Sequence, residues 1–208
     1  MTGKLFLLAG LWSLWCALHS LLVTPRMSAW FRRCLGARVA WFRLGYNLFA
    51  LATVIPLVLW ARHLSSGNLI RWQGGWRLLQ GGLWLGAAGL FWAGAKVYPL
   101  AEFLGIRQVA AHARGRQAPA SHGPLVKEGV LGVVRHPWYL AALIVLWARD
   151  LDPAGLVTSA VLSIYLIIGA RLEERKLLAE FGEEYRRYRR EVSMVLPWKW
   201  LQKRMPRK

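Results

Sequence analysis

The sequence predicts an all-α, polytopic membrane protein of about five transmembrane helices, ending in a shallow C-terminal helical hairpin. Three observations carry that reading. The 208 residues are 56% hydrophobic, yet they hold a formal charge of +18. The charges gather in patches between long uncharged runs, as in apolar spans separated by loops. Thirteen tryptophans accompany them, and this residue concentrates where bilayer meets water. A basic nucleic-acid binder would gather its charge on one face or stripe. The expected partner is therefore a lipid bilayer and not a nucleic acid. Two cysteines, Cys16 and Cys34, are too few for a disulfide framework or a cysteine-based metal site, and no metal is expected.

The first apolar run, Leu5–Val23, is interrupted only by Ser13, His19 and Ser20. A cleavable signal would need small residues at its recognition positions. This end reads "WCALHS", so the helix is expected to be retained. Leu44–Ala61, Leu78–Ala95 and Ala154–Ala170 carry no charge and approach the ~20 residues needed to cross a bilayer. Trp138–Ala148 is shorter, about 16 Å at helical rise. It either starts earlier, with Arg135, His136 and Pro137 already at the boundary, or forms a re-entrant half-span paired with Ala154–Ala170. A shallow helical hairpin is expected, with Arg149, Asp150, Asp152 and Pro153 as its polar turn. Within the third run, Gly82 and Gly86 have the spacing of close helix packing.

Charge asymmetry then orients the chain. Segments 24–40, 100–136 and the tail from Arg171 hold 21 Lys and Arg; the opposite side holds four. The positive-inside rule predicts a cytoplasmic C-terminus. The stretch "AAHARGRQAPASHGP" reads as a connector. His63, His112 and His122 read as solvated loop residues.

No glycine-rich dinucleotide motif, P-loop, H-E-x-x-H or G-x-S-x-G occurs. What remains is polar chemistry at membrane depth, which is costly and therefore a functional candidate. Arg135 and His136 stand before the short run, in "GVVRHPWYLAALIVLW". Glu173 and Glu174 follow the last one, in "ARLEERKLL". The basic pair is either a membrane-boundary marker or a seat for an anion. The acidic pair lacks bases at i+4, so one carboxylate is expected to face protein. Both pairs lie at the cytoplasmic end of one hairpin. Cations beside carboxylates suit a zwitterionic ligand such as S-adenosylmethionine, and Tyr139, Tyr185 and Tyr188 offer ring faces to its cation or base. His19 and Ser20 either hydrogen-bond a neighbouring helix or line a substrate pocket. The tail "AEFGEEYRRYRREVSMVLPW" is basic, aromatic and amphipathic, suited to an anionic lipid surface.

"RHPWY", the short hairpin, "EERKLLAEFGEEYRRY" and "VLP" together resemble the isoprenylcysteine carboxyl methyltransferase superfamily, integral-membrane enzymes dependent on S-adenosylmethionine. "EFLGIRQVAAHARGR" and "LHSLL" resemble its branch containing methanethiol S-methyltransferase and NnrU-type proteins. The resemblance is strong over about 102–197. It implies a cofactor motif of Arg135, His136, Tyr139, Glu173 and Glu174, with Tyr185 beside it. It also implies N-terminal transmembrane helices over 1–99 and a methyltransferase core over 100–208. A cytosol-facing cofactor site in a bacterial inner membrane follows. The family often has Leu-Tyr-Arg where Val130-Leu131-Gly132 stands, and Gly at Ala141. The implied acceptor is a small or lipophilic thiol; a prenylcysteine carboxylate, a phospholipid amine and a non-catalytic interaction role are the alternatives.

Overall fold

Apolar runs of the lengths just described fold as helices, because a helix satisfies its own backbone where no water can. The computed structural model describes residues 2–64, 66–116 and 124–205. In chain order the helices are α1 (Thr2–Leu22), α2 (Pro25–Leu35), α3 (Phe42–His63), α4 (Trp76–Val97), α5 (Leu100–Phe103), α6 (Ile106–Ala113), α7 (Pro137–Trp147), α8 (Pro153–Glu191) and α9 (Trp198–Arg204). Tight turns at Gly36–Trp41 and Gly129–Gly132 interrupt them. No strand forms among the described residues, only two isolated bridges.

Among the described residues, four helical stretches are long and apolar enough to cross a membrane: Thr2–Leu22, Arg38–His63, Trp76–Val97 and Pro153–Glu191. Their outward faces show why lipid is needed. Phe6, Leu78 and Leu85 are at least three-quarters exposed, and such side chains in number would make an untenable patch in water. Helix α7 has 11 residues, about 16 Å, half of a ~30 Å hydrocarbon core. The segment read as a basic loop over 24–40 contains α2, whose N-cap Thr24 accepts from the Met27 amide. His122 and much of the connector lie outside the described residues.

Contacts divide the chain into two compact units, one of residues 1–69, 98–122 and 152–162, the other of 70–97, 123–151 and 163–208. In the first, Leu8 and Trp12 of α1 form a core with Ala154, flanked by Val54, Leu57 and Trp60 of α3. Buried Trp12 and half-buried Trp15 satisfy their ring N–H groups, donating to Thr158 and Thr53 at 3.0 Å. Asp152 opens α8 as a cap: its carboxylate accepts from the Gly155 amide at 2.6 Å and from Ser66 at 3.2 Å.

In the second unit α7 is held between α4 and the 163–173 stretch of α8. Tyr139 faces Gly169 and Glu173 near one end. Trp147 donates to Ser163 at the other, at 2.9 Å, so α7 and α8 run antiparallel as the expected hairpin. Against α4, the Trp138 indole stacks on Phe91 at 5.4 Å and donates to its carbonyl at 3.0 Å. Gln80 and Trp84 donate to the Ala148 carbonyl at 3.2 and 2.7 Å. The close-packing glycine of α4 is Gly94, which lies under the Trp138 ring. Gly82 and Gly86 have nothing within 4 Å of where a Cβ would stand. The small-residue spacing therefore pointed to the wrong glycines, since spacing says nothing of what faces it.

Candidate functional site

Beyond Ala170 the character of α8 changes abruptly, from an uncharged apolar run to "RLEERK", so the residues that follow lie outside the apolar span. The helix breaks at Gly182, whose φ of 53° and ψ of −123° are not helical. Only glycine takes that conformation without strain. The stretch after the break turns Tyr185, Tyr188 and Val192 into a buried cluster with Leu125, Leu177, Leu178 and Phe181. From it the Tyr188 hydroxyl donates to the Leu131 carbonyl at 2.7 Å. Val130-Leu131-Gly132 thus belongs to a tight turn strapped down by α8. Residues after the helix complete the strap: the Arg135 and His136 amides donate to the Ser193 and Met194 carbonyls at 2.9 and 3.0 Å. Pro137 then starts α7 at its first helical position, where its missing N–H costs nothing.

This scaffold brings Arg135, His136, Tyr139, Glu173 and Glu174 together, all within the second unit. Glu174 is the buried carboxylate, 4% exposed. Arg135 Nε and Nη2 lie 2.6 and 2.5 Å from its Oε1, and Arg189 Nε lies 3.2 Å from Oε2. The remaining Arg135 nitrogen donates to the Arg189 and Val192 carbonyls. The guanidinium is consequently committed to internal partners. Burial pushes the Glu174 carboxyl up, but the His136 ring and the Arg135 guanidinium beside it outweigh that, and the net shift is downward from the ordinary 4.5.

His136 sits between the two acids. Nδ1 is 3.6 Å from Glu173 and Nε2 is 3.5 Å from Glu174, yet the buried Nε2 makes no hydrogen bond. Its ring meets Tyr139 edge-on at 5.1 Å, and the Tyr139 hydroxyl donates to Glu173 Oε2 at 3.1 Å. Glu173 differs from its neighbour in being open, with 45% of its side chain exposed. Tyr185 is closed off at 1% exposure, its hydroxyl without a hydrogen bond. Burial and the Glu174 charge push that phenol up.

His19 and Ser20 belong to the first unit. The His19 ring stacks on Trp15 at 4.8 Å and its nitrogens lie 2.6 and 2.8 Å from the Tyr46 hydroxyl of α3. Along the same pair of helices, Leu11, Leu14, Trp15, Leu18, Thr53, Pro56, Leu57 and Trp60 line an apolar recess of about 340 Å³.

Sequence reasoning missed two residues that shape this site. Arg189 was counted only as tail charge, and Gly182 only as part of a motif. The lone Gly inside "AEFGEEY" was the available sign of a break.

Fold and site define a class: an all-helical polytopic membrane protein with a buried Arg–Glu pair joining the segment before α7 to α8. Comparison with known proteins narrows it. The chain is 42% identical over 101 residues to methanethiol S-methyltransferase 1 of Bradyrhizobium diazoefficiens, covering 47% of this chain and 34% of that protein. It is 30% identical over 193 residues to the methanethiol S-methyltransferase of Pseudomonas deceptionensis, covering 89% of this chain and 70% of that one. To the methanethiol S-methyltransferase of Mycobacterium tuberculosis it is 29% identical over 190 residues, covering 86% of this chain and 72% of that one. The chain belongs to this methanethiol S-methyltransferase branch of the isoprenylcysteine carboxyl methyltransferase-like proteins. No family model matches it, and no solved structure matches it.

Proposed function

We propose that this protein is an integral-membrane, S-adenosylmethionine-dependent methyltransferase acting on a small thiol, with its cofactor site and C-terminus in the cytosol. The relatives' names support the thiol, and the charge asymmetry supports the orientation. One observation carries the cofactor assignment. A buried imidazole nitrogen without a hydrogen bond stands beside a half-open carboxylate and a tyrosine hydroxyl. A buried polar atom left unpaired calls for a partner. S-adenosylmethionine fits this donor set: its ammonium, sulfonium and ribose hydroxyls suit Glu173, and its polar atoms suit His136 and Tyr139.

When bound, the cofactor would supply an electrophilic methyl group. The chain's own task is to orient it and to keep water from the reacting atoms. Glu173 and Tyr139 would hold the cation, and His136 would take a polar contact at Nε2. Arg135 and Glu174 would act as positioning residues, fixing the ends of α7 and α8 against each other. Tyr185 would brace the same strap from its buried cluster. His19 and Ser20 would serve the acceptor; they belong to the first unit and are not part of the lining of the recess of α1 and α3.

Transfer of labelled methyl from S-adenosylmethionine to methanethiol, by purified protein in detergent, tests the proposal. Transfer to the thiol but not to a prenylcysteine acid or phosphatidylethanolamine is expected. Label on either of the latter alone would overturn the thiol assignment, and no label on any acceptor would overturn the enzyme reading.

A further inference from the structure

The break at Gly182 and the strap at Ser193–Met194 leave a cavity of about 550 Å³ at the end of α8. Arg186, Arg189, Arg190, Lys199 and one face of Arg135 line it, with Ser193, Met194 and Trp198. Five cations converge there, and among the described residues no carboxylate is in the lining. The acids paired with them answer only part of the charge. Glu174 serves Arg135 and Arg189 from within the protein, and exposed Glu183 serves Arg186 and Arg190 at 3.4 and 3.0 Å. The Lys199 ammonium donates to the Arg189 and Arg190 carbonyls at 2.7 and 3.0 Å, which places its charge at the mouth without neutralising it. A cavity with this surplus disfavours S-adenosylmethionine, whose sulfonium and ammonium outnumber its one carboxylate. It favours an anion.

The rim says which anion. Leu196 is 69% exposed and Trp198 61%. Leu201 and Met205 of the same short tail are exposed as well. Tryptophan and leucine beside clustered arginines make the composition of a membrane-interface anchor. A soluble anion would have no use for that apolar rim.

We propose that this cavity binds the phosphate of an anionic phospholipid, with Arg186 and Arg190 as its outer clamp and Trp198 and Leu196 against the glycerol and upper acyl chain. Guanidinium forks match phosphate oxygens in pairs, and the side chains of Arg186 and Arg190 are 61% and 65% exposed, free to turn from Glu183 toward a better partner. The cavity shares Arg135 and Arg189 with the wall of the His136–Glu173 centre, but its test does not depend on methyl transfer.

Purified full-length protein in detergent is titrated with short-chain phosphatidylglycerol, short-chain phosphatidylcholine, glycerol 3-phosphate and inorganic phosphate, with binding read by native mass spectrometry and thermal shift. Phosphatidylglycerol should bind at least tenfold more tightly than the other three. The double variant R186Q/R190Q should weaken it about 30-fold, five- to sixfold for each arginine near an anionic surface. Glu183→Gln should strengthen it by freeing the clamp, a change that does not depend on the double variant folding. Equal binding of the two lipids, an unaltered double variant, or unchanged affinity in Glu183→Gln would overturn the proposal. Tight binding of inorganic phosphate or glycerol 3-phosphate with no gain from acyl chains would show a soluble anion to be the occupant, and would overturn it too.

Discussion

Arg135 and Glu174, 39 residues apart, meet as a buried ion pair at 2.5–2.6 Å through both Nε and Nη2. The two sides of that contact end different helical elements, the strap before α7 and the upper part of α8. Removing one member of a buried pair leaves the other charged and desolvated, which costs about 3–5 kcal/mol. Arg135→Ala also removes the guanidinium donor from the Val192 carbonyl and leaves the Arg189 carbonyl to Lys199. The expected result is a protein destabilised by about that amount, read as a fall in melting temperature in detergent. Glu174→Gln should do the same and also remove acid sensitivity. The folded Glu174 value is depressed, so its contribution is fully present above its unfolded value and is lost as pH falls through the folded one. Wild-type stability should therefore decline below about pH 4.5 more steeply than that of Glu174→Gln.

Glu173 is the contrasting test. Its carboxylate is half open and meets Tyr139 and the edge of His136. If it grips the cofactor's cation, Glu173→Gln loses a charged hydrogen bond worth about 1.5–3 kcal/mol of affinity. Melting temperature without ligand should change little, since open sites tolerate substitution to within about 0.5 kcal/mol. Titrating S-adenosylmethionine into both proteins decides it. Tyr139→Phe should produce a smaller loss in the same direction. An unchanged dissociation constant in both would move the cofactor away from this corner.

Gly94 and Trp138 yield a packing prediction. A Cβ on Gly94 would stand 2.3 Å from the indole Nε1, far inside contact, and the indole is pinned by its bond to Phe91. Overpacking of this kind costs about 1–3 kcal/mol. Gly94→Ala should lower the melting temperature, whereas Gly82→Ala and Gly86→Ala should leave it near wild type. The contrast excludes helix propensity as the cause, because the alanine is the same in all three.

These glycines also show where the sequence stops being legible. The spans were plain from charge-free runs, because a backbone in lipid has one economical solution. The short hairpin was plain because a short apolar run is set off from the next by the charged turn at Arg149–Asp152. The pairing of acids with bases was only half plain. Glu174 lacks a base at i+4, which says that its partner is elsewhere, but not that Arg135 and Arg189 supply it. Tertiary partners lie outside any local pattern. The same holds for α4, whose Trp84, Phe91 and Gly94 support α7 although nothing near α7 names them.

Orientation has its own check. With Arg43, Arg77 and Lys96 at span ends left aside, the basic residues fall 21 to four across the expected membrane faces, a strong bias under the positive-inside rule. A reporter fused after Lys208 should behave as cytoplasmic. Periplasmic behaviour would place the proposed cofactor site in a compartment without the cofactor.

The acceptor makes the last prediction. A thiol reacts as its thiolate, so an alkyl thiol near neutral pH is mostly in the unreactive form. The methyl-transfer rate with methanethiol should then rise with pH, until the thiol or a group assisting it has titrated. A carboxylate acceptor is ionised well below neutrality and would show no rise from its own ionisation. The rise must belong to the acceptor and not to the fold. Stability supplied by Glu174 is already complete above pH 5, since its depressed value places that titration on the acid side. Single-turnover rates with saturating S-adenosylmethionine between pH 6 and 9 separate the cases. Replacing methanethiol by a more acidic thiol should shift the curve to lower pH. A flat profile for both thiols would mean that the thiolate is not what this site methylates.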